Sequence, residues 1–187
     1  MANSMVEFLL TRRSSSRFTD KAPSKADVRT MIEAAMTAPD HGGLKPYRFI
    51  AIEGKQRDLF AAAMVSGAAE KKGELPDPVH KKIVAKAFLS PMQIAIIFSP
   101  VDNQKIPKWE QFATASCAGF AITLAAHSLG YATIWKSFDS GLGQKLRDLF
   151  KMTADEQLLG WINVGARDGV EAEGQRTSDV DAHLVYL

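Results

Sequence analysis

Cysteine is almost absent from this chain of 187 residues: Cys117 stands alone, which excludes a disulfide within the chain. Net charge is nearly absent as well. The 23 Lys and Arg against 21 Asp and Glu leave a formal charge of +2. So weak an overall field gives no reason to expect nucleic acid or an acidic membrane as partner, and any anion site must be local. No His, Cys or carboxylate cluster has metal-ligand spacing, and no Gly-x-Ser-x-Gly or Ser-His-Asp arrangement points to hydrolysis. The Gly-x-Gly-x-x-Gly and phosphate-loop patterns are missing too. Gly141-Leu142-Gly143 follows no clear strand and lacks the third glycine, which makes it a weak dinucleotide signal. The residues therefore nominate no catalytic side chain and no metal ligand.

Charge is missing from one long stretch, Phe112 to Trp135, which is long enough to span a hydrocarbon core. It is built from Ala, Gly, Ser and Thr, contains His127, and is divided by Gly130. That composition suits a buried helix followed by a strand, so no membrane span is expected. A secretory signal is not expected either, because Glu7 lies inside the first apolar stretch and Arg12 and Arg13 follow it. A reducing cytoplasm is the expected compartment.

What is present is ordinary globular composition, 46% hydrophobic and 24% charged, enough to close the core of one domain over residues 1–187. Val6 to Thr11 reads as a short helix. Ser24 with Asp27 three residues later is a capping-box pattern, and Val28, Met31, Ile32 and Ala35 recur at helical spacing, so a second helix should end near Thr37. Pro39 and Gly42-Gly43 break the chain before a strand over Arg48 to Glu53. Lys55 to Leu89 is helical but interrupted by Gly73, Pro76 and Pro78, a polar excursion. Further expected elements are a central strand at Gln93 to Phe98, a buried helix at Trp109 to Leu129 and a strand at Ala132 to Trp135. An amphipathic helix at Leu142 to Phe150 and a strand at Leu158 to Val164 follow. The tail from Gly165 to Asp179 is rich in Gly and charge, yet the chain closes on the apolar run Leu184 to Leu187, which something must cover. Helices and strands without regular βαβ alternation indicate the α+β class.

Three segments can carry chemistry. Arg12-Arg13-Ser14 offers forked guanidinium donors and a hydroxyl suited to a phosphate monoester, although a basic turn at a helix end would look the same. Ala38-Pro39-Asp40-His41 is a loop flanked by breakers, where a histidine meets ligand or solvent more readily than core. The third is Gly130 to Ser137. His127, inside the charge-free helix, reads first as a satisfied core histidine.

In chain order, these segments resemble the FMN-dependent nitroreductase family, and within it the small bacterial YdjA-type NAD(P)H nitroreductases. The resemblance is carried by Arg12-Arg13-Ser14 with Arg17-Phe18, by Ala38-Pro39 with Lys45 to Phe49, by Lys105 to Gln111, and by Leu129 to Ser137. It implies an α+β nitroreductase-like fold, with a central mixed or antiparallel sheet flanked by helices and a C-terminal tail reaching a partner subunit. It also implies a homodimer with FMN at the subunit interface, and NADH or NADPH as electron donor. Nitroaromatic, quinone-like or related small molecules would be the acceptors in a two-step reaction. A flavin-binding sequestering or sensing protein is the alternative. By resemblance, Arg12, Arg13 and Ser14 hold the FMN phosphate, and Thr37 and His41 reach the cofactor from the other subunit. Trp135, Lys136 and Ser137 form a further flavin stretch. Ala125, Ala126, His127, Ser128, Leu129 and Gly130 match a segment for the nicotinamide cofactor. The chain departs from the common pattern at Asp40, Gly43 and Lys45, where Ser, Asn and Gln are usual, and the run Arg12 to Arg17 is one residue longer.

Overall fold

The computed structural model describes residues 4–137, 142–169 and 179–187. The elements in chain order are α1 (Ser4–Thr11), α2 (Lys25–Ala35), β1 (Tyr47–Glu53), α3 (Gln56–Lys72), α4 (Asp77–Ala87) and β2 (Met92–Phe98). Then come α5 (Lys108–Ser128), β3 (Tyr131–Lys136), α6 (Gln144–Leu149) and β4 (Gln157–Ala166). Every expected element is present, with ends shifted by one or two residues. Gly141 and residues 170–178 of the Gly-rich tail lie outside the described residues.

The four strands form one antiparallel sheet in the order β1-β2-β4-β3. The central strand β2 is buried along its whole length, because helices cover both faces of the sheet. Its side chains alternate accordingly. Ile94, Ile96 and Phe98 join Met31 of α2 and Ala115, Ala118 and Ile122 of α5 on one face. Ala95 and Ile97 join Phe60 and Met64 of α3, Ile83 of α4 and Leu146 of α6 on the other, with Trp161 from β4. Strand period thus distributes one run of apolar residues over two cores.

The ends of α2 are decided locally. Ser24 accepts a bond from the Asp27 amide at 3.1 Å, and the Asp27 carboxylate accepts from the Ser24 amide at 3.3 Å, a complete capping box. The Tyr131 hydroxyl also donates to Asp27 at 2.8 Å, tying the start of β3 to this cap. Hydrogen bonds from Ser24 and Tyr131 hold the Asp27 carboxyl below its usual range, while burial, with the bond to Asp27 second, pushes the Tyr131 phenol up.

The helix α5, free of charge from Phe112 onward, is buried on one side only. Thr114, Ala115, Ala118, Gly119, Ile122 and Ala126 face the sheet, whereas Trp109, Phe112 and Phe120 are exposed. Exposed too are Leu9 and Leu10 of α1 and the terminal Leu184 to Leu187. Among the described residues no helix is long and apolar enough to cross a membrane.

Candidate functional site

The segment after α1 does not dangle. Ser14 bridges Thr133 of β3 in parallel fashion, with the Ser15 amide donating to the Thr133 carbonyl at 2.9 Å. Phe18 pairs with Arg167 just beyond β4, the Thr19 amide donates to the Ala166 carbonyl at 2.9 Å, and the Ala166 amide donates to the Lys21 carbonyl at 3.0 Å. Residues 14–21 therefore cover the edge of β3 and cross to the end of β4. Arg13, Ser14, Ser15, Ser16, Arg17, Arg167 and Asp168 line a cavity of about 260 Å³ at that crossing. Three arginines and three serines outnumber the one carboxylate, Asp168, around this small volume and make a polar cradle of net positive charge. Arg12 is half-buried and outside the lining. Arg13 also donates to the Leu10 carbonyl at 2.7 Å, which closes the C-terminal end of α1.

Arg167 is the residue that sequence reading missed. In the sequence it sits in Gly-Ala-Arg-Asp-Gly, which reads only as loop punctuation after a strand. Its role depends on the bridge to Phe18, about which chain order says nothing.

Beyond Thr133 the same strand leads to Trp135, Lys136 and Ser137, and its geometry is set by two glycines. A Cβ at Gly119 of α5 would lie 2.4 Å from Cη2 of Trp135 and 2.6 Å from Cδ1 of Ile96. The bare backbone of α5 is what lets the indole approach the helix this closely. At Gly160 of β4, φ is +114° and a Cβ would lie 2.3 Å from the carbonyl oxygen of Lys136 and 2.9 Å from Nε1 of Trp135. That indole nitrogen donates to the Leu159 carbonyl at 3.1 Å. Lys136 and Ser137 are exposed at the end of the strand.

Thr37 and His41 are not brought to this cradle within one chain. Thr37 is exposed and donates to the Ala34 carbonyl at 2.8 Å. His41 Nδ1 lies 2.9 Å from Glu110 Oε2, and the two line a separate cavity of about 240 Å³ with Asp40, Trp109 and Cys117. The loop is fixed from within. Asp40 accepts from the Leu44 amide at 3.1 Å and from the Lys45 amide at 2.7 Å, while Gly42, Gly43 and Lys45 all have positive φ. A Cβ at Gly42 would also lie 2.7 Å from Ile106. The Asp40, Gly43 and Lys45 departures thus build a tight turn whose carboxylate is occupied by its own backbone.

The segment Ala125 to Gly130 ends α5. Ala126 is fully buried, Ala125 packs against the same core, and the His127 ring lies 5.0 Å from that of Phe8. Ser128 donates to the Ala125 carbonyl at 2.9 Å, the Leu129 amide donates to the same carbonyl at 3.1 Å, and Gly130 reverses the chain at φ +82°.

On the far side of the sheet, Arg48 and Glu156 form a forked ion pair at 2.7 and 2.6 Å, with Ser99 donating to the same carboxylate at 2.5 Å and the Thr153 amide at 3.1 Å. The bonds from Arg48 first, then those from Ser99 and Thr153, hold the Glu156 carboxyl down at about 2 despite its burial. Glu156 also borders a cavity of about 440 Å³ that reaches Ser137.

Comparison with known proteins gives a consistent answer. The pattern describing the Nitroreductase family matches residues 9–166. The chain is 31% identical over 160 residues to "Putative NAD(P)H nitroreductase YdjA" of Escherichia coli (strain K12), covering 86% of each chain. It is 31% identical over 183 residues to a protein of the same description, without the YdjA label, from Haemophilus influenzae, covering 96% of this chain and 97% of the other. Among solved structures, the nitroreductase-like family protein from Bacillus cereus superimposes with a TM-score of 0.79 at 22% identity, covering 100% of this chain and 97% of that one. A nitroreductase-type protein of Desulfovibrio desulfuricans, solved in complex with FMN, superimposes with a TM-score of 0.73 at 20% identity, covering 100% and 99% of the two chains. The chain belongs to the nitroreductase family.

Proposed function

We propose that this chain is an FMN-dependent oxidoreductase that uses NADH or NADPH to reduce nitroaromatic, quinone-like or related small acceptors. It works as a cytoplasmic homodimer with the flavin at the subunit interface, each chain forming one domain. The observation that supports this best is the cradle of Arg13, Arg17 and Arg167 with Ser14, Ser15 and Ser16, docked beside the strand that carries Trp135, Lys136 and Ser137. Its donor set fits a phosphate monoester dianion.

When bound, FMN supplies the two-electron redox chemistry, and no side chain need act as nucleophile, acid or base. The residues hold and aim. Arg13 and Ser14, with Arg17 and Arg167 of the same cradle, take the phosphate, and Arg12, outside that lining, is assigned to it by the family resemblance alone. Pairing of β3 with β4 on one edge and with Ser14 and Ser15 on the other fixes the stretch Trp135 to Ser137. Lys136 and Lys45 offer positive charge where reduction accumulates negative charge. Thr37 and His41 serve the partner's site, in keeping with their distance from the cradle of their own chain. The Ala125 to Gly130 segment contributes to the nicotinamide side through Ser128, Leu129 and Gly130, which are exposed. The apolar surface of α1, α5 and Leu184 to Leu187 is the material for the dimer interface.

The purified protein should be yellow, with a flavin band near about 450 nm. NADH or NADPH should bleach that band without oxygen, and an acceptor should restore it. Double-reciprocal plots should be parallel, because one open face forces the donor out before the acceptor enters. Flavin that binds but is not bleached by either nicotinamide would favour a sequestering or sensing role. Intersecting plots would instead require separate donor and acceptor pockets.

A further inference from the structure

The cavity beside the Asp40 turn holds a carboxylate that bonds outside its own helix. Pro107 is the N-cap of α5, and Glu110 is the third residue of that helix. A carboxylate at this place ordinarily reaches back to the amide of the N-cap residue, but a proline has no N–H to offer. Glu110 bonds instead to a residue 69 positions away, its Oε2 lying 2.9 Å from Nδ1 of His41. Glu110, Ala113, Thr114 and Cys117 recur at helical spacing, so one face of α5 walls the cavity that Asp40 and His41 border from the loop.

The backbone of that loop is held without the histidine ring. The Thr114 hydroxyl donates to the Pro39 carbonyl at 2.9 Å, and the Asp40 carboxylate accepts from the Leu44 and Lys45 amides. Gln111 bonds the Val101 amide and the Val101 and Ile106 carbonyls, which fixes the segment packed against Gly42. Asp40 is thus committed to its own turn, and Glu110 is the carboxylate that directs the ring. An ionised carboxylate only accepts, so the bond puts a proton on Nδ1. In a neutral ring the other nitrogen, Nε2, then carries a lone pair, and it has no bonding partner among the described residues.

We propose that Glu110 is a positioning residue: it holds His41 in the Nδ1–H form and so presents Nε2 as a hydrogen-bond acceptor to the flavin of the partner's site. FMN carries suitable donors in its ring N–H and its ribityl hydroxyls. The inference rests on the functional reading above, which brings His41 to the cofactor across the subunit interface.

The test uses the FMN-loaded protein with isotopically labelled histidine nitrogens. Magnetic resonance of these nitrogens distinguishes the Nδ1–H, Nε2–H and doubly protonated rings. The sequence has four histidines, and loss of one pair of signals in His41→Gln identifies His41. At about pH 9, well above the ordinary histidine range, wild type should show the proton on Nδ1. Glu110→Gln, whose amide oxygen still accepts, should show the same form and bind FMN nearly as wild type does. Glu110→Ala should lose that form, and its FMN dissociation constant should rise about 2- to 12-fold, the loss of one ordinary hydrogen bond. His41→Gln/Glu110→Ala should bind no more weakly than His41→Gln, because Glu110 acts only through the ring. A wild-type His41 protonated on Nε2, or on both nitrogens at that pH, overturns the proposal. So does a Glu110→Ala protein with the proton moved and FMN affinity unchanged, or a double variant whose losses add. A purely structural role at the start of α5 would lower the melting temperature of Glu110→Ala and leave the proton in place, which also overturns it. The wild-type spectrum needs no substitution and decides the pairing even if Glu110→Ala does not fold. If wild type binds no FMN, the functional reading itself fails and this role falls with it. Wild type that binds FMN with the proton on Nε2 loses the positioning role alone.

Discussion

Replacing Gly160 by alanine should damage the fold and displace the stretch Trp135 to Ser137 together. Two costs add at this position. The residue adopts φ +114°, a conformation that L side chains rarely take, which costs about 1 to 3 kcal/mol. The new methyl would also sit 2.3 Å from the carbonyl oxygen of Lys136. That neighbour is backbone, so relief requires β3 to move, at about 1 to 3 kcal/mol of overpacking. The sum, about 2 to 6 kcal/mol, is a large share of the 5 to 15 kcal/mol by which a typical domain is stable. For a chain of this size it lowers the melting temperature by roughly 5 to 20 °C. Gly73→Ala is the internal control, because Gly73 has a similar positive φ of +77° but nothing within 4 Å of its would-be Cβ. It should show the conformational cost alone, about 1 to 3 kcal/mol. The two variants and wild type are compared by thermal and urea unfolding at equal subunit concentration, with and without added FMN, since ligand and assembly both shift apparent stability. Gly160→Ala should also lose FMN affinity, whereas Gly73→Ala should keep it. A Gly160→Ala protein that melts with Gly73→Ala and binds FMN like wild type would falsify the claim that this glycine sets the end of β3.

The remaining predictions concern the cradle, the buried ion pair, the indole and the assembly. Arg12→Ala and Arg13→Ala should each raise the FMN dissociation constant about 10- to 150-fold, the loss of charge-assisted bonds of roughly 1.5 to 3 kcal/mol. Riboflavin affinity should barely change, and equal FMN affinity in a folded variant removes that arginine from the phosphate site. Glu156 has its carboxyl depressed to about 2 in the folded chain, so its contribution is fully present above the ordinary carboxylate range near pH 4.5 and is lost as pH falls toward 2. That depression corresponds to about 2 to 3 kcal/mol after allowance for the partial exposure of Arg48. Glu156→Gln should flatten the acid limb of the stability profile, and an unchanged limb refutes the pair's role. Gly119→Ala should push the Trp135 ring off α5, shifting indole fluorescence and costing about 1 to 3 kcal/mol. A spectrum and stability identical to wild type would show that the contact relaxes freely. Sedimentation should give twice the 20.4 kDa chain mass at micromolar concentration. A stable flavin-loaded monomer would count against an interface built from α1, α5 and the terminal residues.

Periodicity and punctuation were enough to place the elements of this protein. Ser24 and Asp27 announced the start of α2, and the apolar run Gln93 to Phe98 suited a central strand wherever it was paired. These features depend on neighbours within a few residues, which is the range over which sequence acts directly. The segments proposed to carry ligand chemistry could be singled out for the same reason, since Arg12-Arg13-Ser14 and Trp135-Lys136-Ser137 are short and contiguous. What tertiary structure decided is everything that needs two distant segments at once. Only the sheet order β1-β2-β4-β3 brings Arg167 beside Phe18 and so adds a third guanidinium to the cradle. Only packing shows that Gly119 and Gly160 are bare because Trp135 and the Lys136 carbonyl occupy the space a side chain would need. The pairing of His41 with Glu110 arises in the same way. A glycine or a glutamate looks alike in any loop or helix of a sequence, and its meaning is set by what the fold places within a few ångströms of it.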